Sequence, residues 1–243
     1  MLPLFLALAS ALTISPQTIA TAFGGHPGAF VLIDCASGGT FRSDPAACAE
    51  KLAPCSTFKI WNSAIGLELG IVTDPGAPFW KWDGVRRDID TWNSDQTLRS
   101  AFAASCVPAY QNLAREIGPR RMQDWLDRIG YGDRNVSSGI DVFWLPKPGR
   151  QSIRISPDEQ AAMIARLLAN ELPFSRRTLS TLKDIMKVRS TARGTLYGKT
   201  GTGGDGSGHS QIGWFVGYVE SSGNTYAFAC LVKGPGLMGK DAR

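Results

Sequence analysis

Histidine is almost absent from this chain: among 243 residues only His26 and His209 occur, far apart in sequence. A zinc hydrolase site or a Ser-His-Asp triad therefore has little to be built from, and no metal site is expected. Charge is missing from the first 22 positions. Beyond that start, no stretch approaches the roughly eighteen consecutive apolar residues that a membrane-spanning helix requires. A basic stripe with interleaved aromatics is also lacking: the formal charge is +5, from scattered Lys and Arg. That balance is too mild for a nucleic-acid protein and suits a small anionic ligand better. With 43% hydrophobic and 19% charged residues, the chain reads as one globular domain or two closely packed subdomains.

The charge-free start runs apolar from Leu2 to Ile14 and ends in Ala20-Thr21-Ala22, an A-x-A-like cleavage site. It reads as a signal peptide over 1–22, which implies a periplasmic or secreted protein without stable membrane insertion. The n-region lacks its usual Lys or Arg. Five cysteines in an exported chain invite a disulfide, and Cys35 and Cys48 flank a turn at Ser37-Gly38-Gly39-Thr40 that would bring them together. Cys55 and Cys106 read as small buried apolar residues.

Hydrophobic period divides the remainder. Ala29 to Ile33 is a short apolar run of a buried strand, followed by a Gly-Gly turn and a second strand near Phe41. From Thr73 to about Val188 the pattern is helical, with runs at Asp95 to Ala104, Ala109 to Ile117, and Arg121 to Ile129 stopped by Gly130. Ser156-Pro157-Asp158-Glu159 is a capping box that opens a helix to Ala169, and Ser175 caps another. After Arg193 the period returns to two, over Gly194 to Thr200, Gln211 to Val219 and Thr225 to Lys233. Strands at both ends with helices between imply an antiparallel sheet built from the two termini, with flanking helices and an inserted all-helical subdomain. The expected division is 23–72 with 189–243 for the α/β part and 73–188 for the helical part, the site lying at their junction.

Pro54-Cys55-Ser56-Thr57-Phe58-Lys59 places a hydroxyl and an amine three residues apart at a helix start. One turn brings Lys59 over the face that holds Ser56. Serine is a weak nucleophile that needs an adjacent base, and a helix N-terminus supplies N–H groups for a developing oxyanion, so the pair suits acyl transfer. The same spacing also occurs on ordinary helices with a solvent-facing lysine, and other stretches must decide. Ser105-Cys106-Val107 falls between two helices, where a serine is a cap or a proton shuttle. Tyr131-Gly132-Asp133 follows a helix stop and is locally an adequate turn. Trp144, in Phe143-Trp144-Leu145, is core or an indole donor. Lys199-Thr200-Gly201 ends a strand with a cation, a hydroxyl and a residue that lets a ligand approach the backbone. Gly201 to Gly206 matches G-x-G-x-x-G, but a strand follows where a dinucleotide site needs a helix.

The order and separation of Ser-x-x-Lys, Ser-x-Val, Tyr-Gly-x, Phe-Trp-Leu and Lys-Thr-Gly lift them above coincidence. With Lys81-Trp82-Asp83-Gly84, Asp95-Gln96-Thr97-Leu98-Arg99, Arg121-Met122-Gln123 and Gly213-Trp214-Phe215-Val216-Gly217, the chain resembles the class D serine β-lactamases over nearly its whole mature length. The resemblance implies that Ser56 opens the β-lactam ring and that Lys59 is N-carboxylated. Its carbamate, made from carbon dioxide and the one non-protein group expected, is then the general base. It implies a relay by Ser105 and Lys199, an oxyanion hole from the N–H groups of Ser56 and Thr202, and Trp144 and Val107 around the carbamate. Thr200, Gly201 and Arg243 are the implied substrate contacts, β-lactams the implied small-molecule partners.

Two departures stand out. Asp133 replaces the family's usual asparagine, placing an expected negative charge near a site for carboxylate substrates. The family also continues into a C-terminal helix after the last strand, whereas this sequence stops at Arg243, so a truncated fragment is one expectation. Alternatives are a penicillin-binding sensor or transpeptidase-like domain that acylates without turnover, or an inactive homologue.

Overall fold

The computed structural model describes residues 14–150, 152–204 and 211–243. The apolar run from Leu2 to Thr13, the last two residues of the G-x-G-x-x-G match, Asp205-Gly206, and His209 lie outside them. The helices are α1 (Pro16–Phe23), α2 (Pro45–Ala49), α3 (Lys59–Glu68), α4 (Leu98–Ala103), α5 (Val107–Ile117), α6 (Pro119–Ile129), α7 (Pro157–Leu168) and α8 (Arg176–Ile185). The strands are β1 (Gly28–Asp34), β2 (Thr40–Arg42), β3 (Pro78–Trp80), β4 (Gln96–Thr97), β5 (Lys187–Thr191), β6 (Gly194–Gly204), β7 (Gln211–Ser221) and β8 (Asn224–Gly234). Six of these form one antiparallel sheet in the order β2-β1-β8-β7-β6-β5.

Both termini therefore feed the sheet, as the two-period ends of the sequence require, and the helical segment is inserted between β2 and β5. That insert is not wholly helical: β3 and β4 pair beside it. β5 escaped the sequence pattern because all five of its residues are exposed, so no alternation of apolar and polar residues marks it. Local cap chemistry was decisive elsewhere. Ser156 Oγ accepts from the Glu159 amide at 3.1 Å while the Glu159 carboxylate accepts from the Ser156 amide at 2.9 Å, and Gly130 ends α6 at φ 69°.

The sheet's period of two separates its faces. On the inner face Val31, Trp214, Val216, Ala227, Ala229 and Leu231 join the main core with α3 and α7. Phe215, Phe228 and Val232 point outward into a smaller cluster with Phe23, Phe30 and Ala242. Ile14, Ile19 and Phe23 are half-buried, and they lie with α1 along this outer face. The expected cleavage residues Ala20-Thr21-Ala22 are thus inside a helix that covers the sheet. Among the described residues, no helix is long and apolar enough to cross a membrane.

The expected disulfide is corrected: Cys35 and Cys48 are both free, one exposed and one buried. The Cys48 thiol faces the Phe30 carbonyl at 3.6 Å, five residues back along β1 from Cys35. An extended chain rises about 3.3 Å per residue, so the backbone positions the two thiols face, Ile33 for Cys35 and Phe30 for Cys48, are roughly 10 Å apart along β1.

Candidate active site

The residues before α3 do not enter it directly. Cys55–Phe58 form a 3-10 turn that runs straight into α3, and in a 3-10 helix positions i and i+3 eclipse. This brings Ser56 and Lys59 into contact, Lys59 Nζ lying 2.7 Å from Ser56 Oγ. Lys59 is fully buried. Its pKa is held well below the ordinary lysine range, first by burial and then by the charge of Lys199. The Tyr110 ring lies 5.3 Å from the amine, and Tyr110 is itself fixed by a 2.8 Å bond to Ser63. Tyr110 was missed in the sequence, although one helical turn separates it from Val107 on α5.

The turn is strained where it presents the hydroxyl. Cys55 has φ 52°, a left-handed conformation that non-glycine residues hold only when their surroundings over-determine it. Burial pushes its thiol pKa up to about 12, which leaves it an inert packing group. Ser105, between α4 and α5, has the same φ of 52°, and its loop is tethered by the Trp92 indole donating to the Ala104 carbonyl at 2.9 Å. Val107 is half-buried at the start of α5.

β6 closes the other side. A Cβ on Gly201 would lie 3.0 Å from the Pro54 carbonyl oxygen and 3.1 Å from the Ser56 and Thr57 amide nitrogens. The glycine of Lys-Thr-Gly thus admits the protein's own nucleophile turn, where the sequence reading had a ligand approaching. Gly203 has the same need, facing Cys55 Sγ and Pro146. Lys199 is 5% exposed, its ammonium donates to the Thr200 carbonyl at 3.1 Å and lies 5.6 Å from the Phe102 ring, and burial pushes its pKa down to about 8. Thr202 Oγ1 accepts from the Gly239 amide at 2.8 Å, tying β6 to the C-terminal residues. Arg243 is exposed and lines a cavity of about 220 Å³ with Lys199, Thr200, Phe102 and Lys187.

Trp144 sits on a loop pinned by Phe143 N–H to the Gly139 carbonyl at 3.0 Å and by the Ser152 hydroxyl to the Phe143 carbonyl at 2.9 Å. It stacks on Phe58, centroids 5.8 Å apart, with Phe143 edge-on to both. Its indole nitrogen is buried and has no hydrogen-bond partner among the described residues. Buried donors are nearly always bonded; the Trp61 indole nitrogen and the Asn62 amide are left open in the same way, and Trp144 is the one of these three that stacks on Phe58 of the nucleophile turn.

Asp133 departs from expectation. Its Oδ1 accepts from the Asn135 and Arg154 amides at 3.2 and 3.0 Å, so the exposed carboxylate pins a surface turn, as an asparagine oxygen would. The assembled elements are a serine in contact with a buried lysine of lowered pKa, a second buried lysine, an orphan indole donor and the Ser56 and Thr57 amides facing Gly201 of β6. Among the described residues no group of three His, Cys, Asp or Glu could hold a metal ion.

The penicillin-binding protein transpeptidase domain family matches residues 28–243. The probable β-lactamase YbxI of Bacillus subtilis is 37% identical over 230 residues, covering 95% of this chain and 83% of that protein. Among solved structures, BPu1 β-lactamase superposes with a TM-score of 0.85 at 38% identity, covering 96% of this chain and 93% of that one. The class D β-lactamase BAT-2 does so at 0.84 and 36% identity, with 95% and 93% covered.

Proposed function

Because the chain belongs to the class D serine β-lactamases, within the penicillin-binding transpeptidase fold, we propose that it hydrolyses the amide of β-lactam antibiotics through an acyl-enzyme on Ser56. The observation that carries this is the 2.7 Å contact between Ser56 Oγ and a fully buried Lys59, whose pKa burial holds well below the ordinary lysine range. A lysine at its ordinary pKa of about 10.4 is a cation at neutral pH and accepts no proton. Burial disfavours that cation, and Lys59, as amine or as the carbamate considered below, is the group placed to take the Ser56 proton as Oγ attacks the ring carbonyl.

The carbonyl oxygen, now negative, is received by the N–H groups of Ser56 and Thr202, each worth about a hundredfold or more in rate. Ser105 hands a proton to the departing ring nitrogen, with Lys199 beside it. Thr200 and Arg243 take the substrate carboxylate, a role that suits a bidentate guanidinium, while Gly201 makes room for the nucleophile turn beside them.

The pocket also fits an N-carboxylated Lys59. A neutral amine is the form that adds carbon dioxide, the unpartnered Trp144 indole N–H is a ready donor to a carbamate oxygen, and Val107 adds apolar wall. Carboxylated, Lys59 would supply the general base for acylation and for hydrolysis of the acyl-enzyme. Class D β-lactamases need no metal. The charge-free N-terminus supports action outside the cytoplasm.

Incubation with a penicillin is expected to give a transient mass adduct on Ser56, followed by turnover, and Ser56→Ala is expected to lose both. An unlabelled wild-type protein would overturn the reading, and a single stable acyl group per chain would make it a sensor.

A further inference from the structure

Gln160 lies on the second turn of α7, outside the groups that touch substrate, and its side chain is 1% exposed. A primary amide in such a place is costly unless both ends are bonded, and here they are. Its Nε2 donates to Thr57 Oγ1 at 2.9 Å and its Oε1 accepts from the Tyr131 hydroxyl at 3.3 Å. The Thr57 hydroxyl spends its proton on the Pro54 carbonyl at 2.7 Å, so it can only accept from Gln160. This fixes which end of the amide faces it. Tyr131 completes the chain as a donor, since burial holds its pKa well above the ordinary tyrosine value.

The resulting relay, Tyr131 to Gln160 to Thr57 to Pro54, ends on the two residues that bracket Cys55 and Ser56. Those four residues are the turn whose Cys55 sits at φ 52°, and whose amides of Ser56 and Thr57 press against the β6 edge. Backbone strain of this kind persists only where neighbouring contacts hold it. Lys59 grips the turn from one side through Ser56 Oγ, and the relay grips it from the other through side chains that never reach the substrate.

We propose that Gln160 is a positioning residue for the nucleophile. Backed by Tyr131 and acting through Thr57, it holds the Pro54–Thr57 turn in the strained form that aims Ser56 Oγ at Lys59 and its N–H at the oxyanion. This rests on the reading of Ser56 as the nucleophile. It also gives Tyr131 of the Tyr-Gly turn a function that local sequence could not assign.

The test compares Gln160→Met, which keeps length but cannot bond, with Thr57→Val, which keeps shape but loses the hydroxyl, and with Thr57→Ser, which keeps the hydroxyl. Single-turnover acylation by a penicillin, the deacylation rate and the melting temperature are measured for each and for the Gln160→Met/Thr57→Val pair. Gln160→Met and Thr57→Val are each expected to slow acylation by roughly tenfold to a hundredfold at a temperature where the protein is folded, as a misplaced reacting group does. The double variant should be no slower than the slower single, because both break one relay, and Thr57→Ser should acylate like wild type. Unchanged acylation with only a lowered melting temperature would reduce the relay to a structural role and overturn the proposal. So would additive losses in the pair. Failure of the wild-type protein to label Ser56 is a separate result, which removes the nucleophile reading and this inference with it.

Discussion

At the scale of single residues the site is governed by two buried amines: burial disfavours the charge of both, and Lys199 further disfavours that of Lys59. Lys59 is the deeper, with its pKa held well below the ordinary range, and Lys199 sits at about 8. In the proposed site a Lys199 ammonium adds to the attraction of Arg243 for the substrate carboxylate below that value, and its share fades above it. In carbonate-free buffer KM for a penicillin is therefore expected to rise as pH passes about 8, with Lys199→Arg removing that limb because a guanidinium stays charged. Added bicarbonate reverses the sign of the charge that Lys59 presents, from a potential cation to a carbamate anion. An anion favours a neighbouring cation, so the limb should move to higher pH. The carbamate carbon should be visible by NMR after loading with labelled bicarbonate. Trp144→Phe, which removes the orphan donor and keeps the ring stack, should weaken both responses. A limb that bicarbonate leaves in place would show that Lys59 is not carboxylated.

At the scale of elements, what was legible followed chemistry that is local in sequence. The Ser156 capping box, the Gly130 stop and the Ser175 cap each name a helix end within four residues, and α7, α6 and α8 begin or end there. Ser56 and Lys59 were legible for the same reason, since three residues of spacing suffice to bring them together. β5 was illegible because exposure on both faces erases the alternation. The Cys35–Cys48 pairing failed because a turn fixes only its neighbours, while Cys48 docks on β1 at Phe30. Gln160 gave no signal at all: its partner Thr57 is 103 residues away, and long-range hydrogen bonds leave no period. α1 falls within the uncharged apolar start that composition marks as a signal peptide, and no separate helix was expected there. Its Ser15 cap, Pro16 at the first position and Gly24 at φ 57° are nonetheless a complete set of helix ends. A chain beginning at Phe23 is expected to lose the half-burial of Ile14 and Ile19 and to bare part of the outer face around Phe30, Phe215 and Phe228. Taking roughly half of 1.5–3 kcal/mol for each lost side chain gives about 2 kcal/mol. For a protein of this size that is a fall of roughly 4–8 °C in Tm by differential scanning calorimetry. An unchanged Tm would mean that α1 contributes nothing to the folded state.

At the scale of the whole molecule, the main core among the described residues spans both parts of the chain, with a smaller cluster on the sheet's outer face. One continuous cluster runs from Val31 and Ala229 in the sheet through Phe58, Trp61 and Ile65 of the turn and α3, and on to Leu113, Met122 and Leu126 of α5 and α6. Independent units meet across surfaces that few contacts cross, whereas here α3, which carries Lys59, is the shared middle of the core. The nucleophile turn is likewise held from both sides: by β6 through Gly201 and Gly203, and by the 139–146 loop through Trp144 and Pro146. Loosening either part should therefore dismantle the site at once. Urea unfolding followed by far-ultraviolet circular dichroism, tryptophan fluorescence and residual β-lactam hydrolysis is expected to give one coincident transition. Tryptophan reports on both parts, since Trp125 stacks on Phe174 in the helical segment and Trp214 donates to the Ala53 carbonyl beneath the sheet. Trapping the acyl-enzyme with a slowly hydrolysed β-lactam should shift the whole curve to higher urea, because a ligand bound only to the folded state stabilises everything that unfolds with it. If hydrolysis is lost at lower urea than the dichroism signal, the helical segment opens on its own. The site would then be a seam between two units, contrary to the shared core.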